Sequence, residues 1–85
     1  MTKDEILRRT KKVLGEQLSL DENAIYLENS LVDDLGADEL DTIQFIIAAE
    51  EEFGIAIPEE DVEHLHTVSE YVDYFERKVN ESHAG

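Results

Sequence analysis

Apolar side chains in the first eighteen positions recur at helical spacing. Stepping about 100° per residue gathers Ile6, Thr10, Val13, Leu14, Gln17 and Leu18 on one face. That stripe predicts an amphipathic helix over residues 3–18. Thr2 followed three positions later by Glu5 is the capping-box pattern for its start. Arg8, Lys11 and Lys12 fall outside the stripe and give the helix a basic outer surface.

The period then breaks. Ser19, Asp21, Asn23, Asn29, Ser30, Asp33, Asp34 and Gly36 interrupt any clean repeat and predict a long connection over residues 19–38. A connection of this length in a small domain is functional or is packed by its own side chains. Ile25, Leu27, Leu31, Val32 and Leu35 are therefore expected to pin it to the body. Asp38 and Asp41 mark a second helix start, one at the cap and one in the first turn. That helix runs from Glu39 to Phe53 and stops at Gly54, a good C′ residue.

Ile55 to Pro58 reads as an extended connector, because the residue before proline is kept out of the helical region. Glu59 to Leu65 has room for one or two helical turns. Thr67 with Glu70 forms another capping box, and the helix behind it lines up Val68, Tyr71, Val72, Phe75 and Val79. The tail from Asn80 to Gly85 is expected to fray. With no strand-like alternation and no internal repeat, the prediction is all-α. Residues 1–85 form a single domain, an antiparallel four-helix bundle of three long helices and one short one, with an oversized first loop.

Composition narrows the function classes. A chain of 85 residues without cysteine has neither disulfides nor thiolate metal sites to hold it, so packed helices must. Its longest apolar run, Phe45 to Ala49, is far too short to span a bilayer. Met1 to Glu5 carries charges but no apolar stretch of the kind a signal peptide needs. A cytoplasmic monomer is the expectation.

Charge says more than size. The formal net charge is −15, and residues 13–76 hold 19 Asp and Glu with no Lys or Arg. Such a field repels nucleic-acid phosphates and anionic membranes and draws in basic protein surfaces.

The second predicted helix has two apolar faces. With Glu39 as zero, Phe45, Ala49, Thr42, Phe53 and Ile46 occupy an arc from about 240° to 340°, wide enough for the core. Ile43, Ile47 and Leu40 lie elsewhere, from about 40° to 100°. Glu39 and Glu50 sit between the arcs, and Glu51 and Gln44 flank the second stripe on its far side. An apolar strip edged by carboxylates is the pattern of a protein-binding surface.

The stretch Asp34-Leu-Gly-Ala-Asp38-Glu-Leu-Asp41-Thr resembles the signature of acyl carrier proteins, in which serine stands where this chain has Glu39. The resemblance continues through Glu50-Glu-Glu-Phe53, Ile57-Pro58-Glu-Glu and Thr67-Val68, in the family's order and spacing. It implies a four-helix bundle bearing a 4′-phosphopantetheine arm on that serine, with acyl or polyketide chains held as thioesters. It also implies docking of the second helix on basic patches of synthases, acyltransferases and phosphopantetheinyl transferases. By position, Leu40, Asp41, Ile43, Gln44, Ile47, Glu50 and Glu51 would be the docking residues. Asp38, Glu39 and Leu40 would flank the attachment point. Glu39 is the departure: a carboxylate offers no alcohol oxygen for a stable phosphodiester and places negative charge where the phosphate would sit. No cofactor is therefore expected, in a chain whose family carries one.

Rival chemistries find less support. A calcium loop counted from Asp21 lacks the required glycine, with Tyr26 at position 6, and the final glutamate, with Val32 at position 12. Weak divalent binding by Asp33, Asp34, Asp38, Glu39 and Asp41, in an acidic module that is not a carrier, stays open as the alternative reading. His64 and His66 form a His-x-His pair without an evident third ligand, so no metal site is assigned. No catalytic residue is assigned either, since helix-start acids serve capping and a chain this short offers little pocket.

Overall fold

The computed structural model describes residues 1–82 and shows an all-helical bundle. Helix α1 spans Lys3–Leu18, α2 Glu39–Phe53, α3 Glu59–Val62 and α4 Val68–Ser82. A short 3-10 helix, Glu22–Ala24, lies in the first loop. Among the described residues the extended backbone pairs only at an isolated antiparallel bridge, Ser30 with Thr67.

Local chemistry sets the boundaries. The Thr2 hydroxyl accepts from the Glu5 N–H at 3.2 Å, which satisfies one of the orphan donors of α1. The reciprocal box at α4 is complete: Thr67 Oγ1 accepts from the Glu70 N–H, and Glu70 Oε1 accepts from the Thr67 N–H at 2.9 Å. Glu70 also accepts from the His66 N–H. These backbone donors hold its carboxyl below the usual carboxylate range. Gly54 ends α2 at φ 64°, a left-handed conformation that costs glycine nothing.

Helix α1 packs across both α2 and α4. Ile6, Val13, Leu14, Phe45, Ala49, Phe53, Val68, Tyr71, Val72, Phe75 and Val79 are buried together, as the periodicity predicts. Phe75 is the centre of an aromatic cluster. Its ring lies 5.1 Å from Phe53, 6.0 Å from Phe45 and from Tyr71, and 6.1 Å from Tyr74.

Tyr74 was not among the expected core residues, yet it is buried. Its hydroxyl explains this, because it donates to Asp61 Oδ2 at 2.7 Å and so keeps a polar partner on burial.

The long loop is pinned differently from the expectation. Ile25, Leu31 and Ala37 are buried and Leu35 packs against them, but Leu27 and Val32 are exposed. The backbone does much of the pinning. The carbonyls of Leu27 and Asn29 accept from the Ser69 and Val68 N–H groups, both at 2.9 Å, and Leu31 N–H donates to the His66 carbonyl. The loop thus satisfies free donors in the first turn of α4. Leu27 lies in one turn and Leu31 and Val32 in another, closed by the Asp34 and Leu35 N–H groups on the Ser30 carbonyl, so only some of these side chains can face inward.

At the far end of α1 the loop comes so close that a Cβ on Gly15 would meet the Leu20 carbonyl oxygen at 2.8 Å. Asn80 to Ser82 remain helical beyond the buried Val79, and residues 83–85 lie outside the described residues.

Burial also tunes the core's response to base. Tyr71 is buried beside Phe45, and desolvation, with a lesser push from the Glu70 carboxylate, raises its hydroxyl to about 12 from 10.0. A raised folded value means that the neutral form is favoured on folding. The stabilisation is complete below pH 10 and is lost as pH climbs toward 12. The melting temperature should fall across that window, and Tyr71→Phe should flatten the fall. Thermal melts of both chains at stepped pH check this; parallel curves would remove Tyr71 as the cause.

Candidate functional site

The acidic start of α2 is built by side chains that bond to one another's backbone. Asp38 Oδ1 accepts from the Asp41 N–H at 2.8 Å, and Asp41 Oδ2 accepts from the Asp38 N–H at 3.2 Å. This closed capping box uses one oxygen of each carboxylate. Glu39, the first residue inside it, is exposed. Among the described residues its carboxylate has no hydrogen bond or ion pair, so the fold does not depend on it. The hydroxyls of Thr42 and Ser30 each take part in one hydrogen bond. Thr42 donates to the Asp38 carbonyl at 3.0 Å, and Ser30 Oγ accepts from the Asp33 N–H at 3.1 Å.

The second stripe of α2 stands free. Leu40 is 61%, Ile43 48% and Ile47 51% exposed, and no loop covers them. Gln44 and Glu51 are exposed beside the strip. Glu50 plays a different part. Its Oε2 accepts from the Ile57 N–H at 2.8 Å, bracing the turn after α2. Asp41 and Glu50 therefore add charge to the rim while their oxygens serve the fold. Glu39 and Glu51 are the rim acids without such a structural bond.

The apolar surface extends beyond the helix, which the wheel did not foresee. Ile43, Ile46 and Ile47 meet Ile57 and Val62 across a cleft of about 320 Å³. Val32 of the first loop, 61% exposed, lines a neighbouring cleft with Thr42 and Val62. Val32 lies in the turn over residues 31–35, which buries Leu31 and turns Val32 outward, a placement that no period in the sequence marks. His64 lies away from this face, in a cleft with Asp61, Tyr74 and Arg77. Among the described residues no three His, Asp or Glu side chains converge as metal ligands, and no helix is long and apolar enough to cross a membrane.

An exposed, acid-edged helix on a small bundle defines a class: an interaction or carrier domain. Residues 8–75 match the family described as the phosphopantetheine attachment site. Over 79 residues the chain is 43% identical to an acyl carrier protein of Thermosynechococcus vestitus, covering 93% of this chain and 98% of that protein. The chain belongs to the acyl carrier protein family. Members of that family are carriers rather than catalysts, normally bear 4′-phosphopantetheine, and interact with synthases and acyltransferases.

Proposed function

We propose that this protein docks carrier-recognising enzymes through α2 but bears no phosphopantetheine arm. The observation that carries the reading is Glu39 itself. It occupies the first turn of α2, where the family resemblance places the attachment serine, with an exposed carboxylate in place of a hydroxyl. A phosphodiester needs an alcohol oxygen to attack the pyrophosphate of coenzyme A. A carboxylate attacking there would form a labile acyl phosphate instead. The residues present do not fit the arm.

Thr42 does not substitute, because it is half-buried with its hydroxyl turned to the Asp38 carbonyl. Docking itself needs no arm. Leu40, Ile43 and Ile47 supply an apolar centre, and Glu39, Gln44 and Glu51 supply a polar rim that steers basic surfaces of synthases, acyltransferases or phosphopantetheinyl transferases. In this reading the protein is a cytoplasmic monomer that occupies carrier sites without cargo.

The test is intact mass after incubation with coenzyme A and a broad-specificity phosphopantetheinyl transferase, with Glu39→Ser alongside. Only the serine variant should gain the arm. Modification of the unaltered chain would show that another hydroxyl is the site and end the proposal. A Glu39→Ser chain that stays unmodified would count against the docking half.

A further inference from the structure

The apolar strip of α2 has two edges, and one of them leads to α1. Stepping round α2 from the strip at about 100° per residue passes Glu51 and Gln44, then Ala48, then Glu52. There the surface crosses to α1 through a cleft of about 330 Å³, where Ala48, Glu51 and Glu52 face Lys12 and Glu16. The strip therefore runs into a border that carries both signs of charge.

The charges in this border are sorted. Arg9 Nη1 lies 3.6 Å from Glu52 Oε2, with both side chains partly buried, so that pair is internal to the bundle. Lys12 and Glu51 are exposed and line the same cleft, yet neither belongs to an ion pair among the described residues. Each keeps its charge for a group outside the bundle. Lys12 also lines a second cleft, of about 670 Å³, beside Arg8 and Leu20, and so stands on the ridge between the two. A cation in this place works against simple steering, because it weakens the pull of the acidic face on any basic surface. What it adds is discrimination. It favours a partner with a carboxylate opposite and repels one whose basic patch runs on across the border.

We infer that Lys12 is a specificity-determining contact of the docking face, meeting a partner carboxylate that lies next to the basic patch met by Glu51. The occupant is a carrier-recognising transferase whose basic patch ends in an Asp or Glu on the side toward α1. This inference rests on the docking of α2 and sets the edge at which that docking stops.

Titration calorimetry with the broad-specificity phosphopantetheinyl transferase tests it on the full chain. Lys12→Glu makes the protein more acidic still, so steering alone would tighten binding. A carboxylate opposite Lys12 reverses the sign, with a loss of about tenfold as an attraction becomes a like-charge contact. Lys12→Arg, which keeps the charge, should bind as the parent does. Carbodiimide coupling of the unaltered chain gives a second reading that no variant's stability can disturb, because it joins an amine directly to a carboxylate in contact with it. Peptide mapping should find Lys12 linked to an Asp or Glu of the transferase. Binding of Lys12→Glu as tight as the parent's or tighter would overturn the inference, as would a map that links Lys12 only within its own chain. Unchanged binding after Ile43→Ala with Ile47→Ala would instead end the docking reading, and the inference with it.

Discussion

Truncating the α2 strip with Ile43→Ala and Ile47→Ala together is expected to weaken binding to a carrier-recognising transferase by about thirty-fold or more. Both side chains are half-exposed, so their removal opens no cavity and the melting temperature should hold. In a complex they would form the dry centre of the interface, where truncations cost about 2 kcal/mol or more. At about 1.4 kcal/mol per decade of affinity, that cost gives the stated factor. Titration calorimetry on the parent and the double variant reads it directly. The acidic rim predicts a second signature in the same experiment. Raising salt from about 0.05 to 0.5 M shortens the screening length to a few ångströms, and affinity should fall steeply. Unchanged affinity in the variant would place the interface elsewhere, and salt-independent binding would remove the rim from the account.

The parts of this site legible in the sequence were those governed by local rules. The helical wheel separates Leu40, Ile43 and Ile47 from the core arc, and the structure leaves all three exposed. Capping patterns at Thr2, Asp38 and Thr67 fix helix starts within three residues of chain, and the structure shows the capping hydrogen bond at each of them. The rest depends on partners distant along the chain. Glu50 looks like a rim acid until the turn after α2 brings the Ile57 N–H to its carboxylate. Tyr74 looks like a flank residue until Asp61, thirteen positions earlier, supplies an acceptor. Leu27 and Val32 look like anchors until the loop's carbonyls are seen capping α4, which fixes the backbone and decides which side chains turn outward. Periodicity cannot register contacts of that kind.

Phe75→Ala is expected to destabilise the fold by about 3–5 kcal/mol, the usual cost of emptying a buried aromatic site. Phe75 is fully buried and touches the rings of Phe45 and Phe53 on α2 as well as Tyr71 and Tyr74 on its own helix. Among the described residues no other ring sees so many aromatic partners, so collapse around the void would have to move two helices at once. A domain of this length, without disulfides, has little stability in reserve. The variant should therefore be largely unfolded well below the parent's melting temperature. Urea denaturation followed by far-ultraviolet circular dichroism measures the loss. The charge distribution sharpens the expectation. An acidic bundle repels itself, and that repulsion is tolerated only while the core holds. Added salt should therefore recover part of the lost stability in Phe75→Ala without restoring the packing. A loss below about 1 kcal/mol would mean that the cluster is loosely packed and that the core is centred elsewhere.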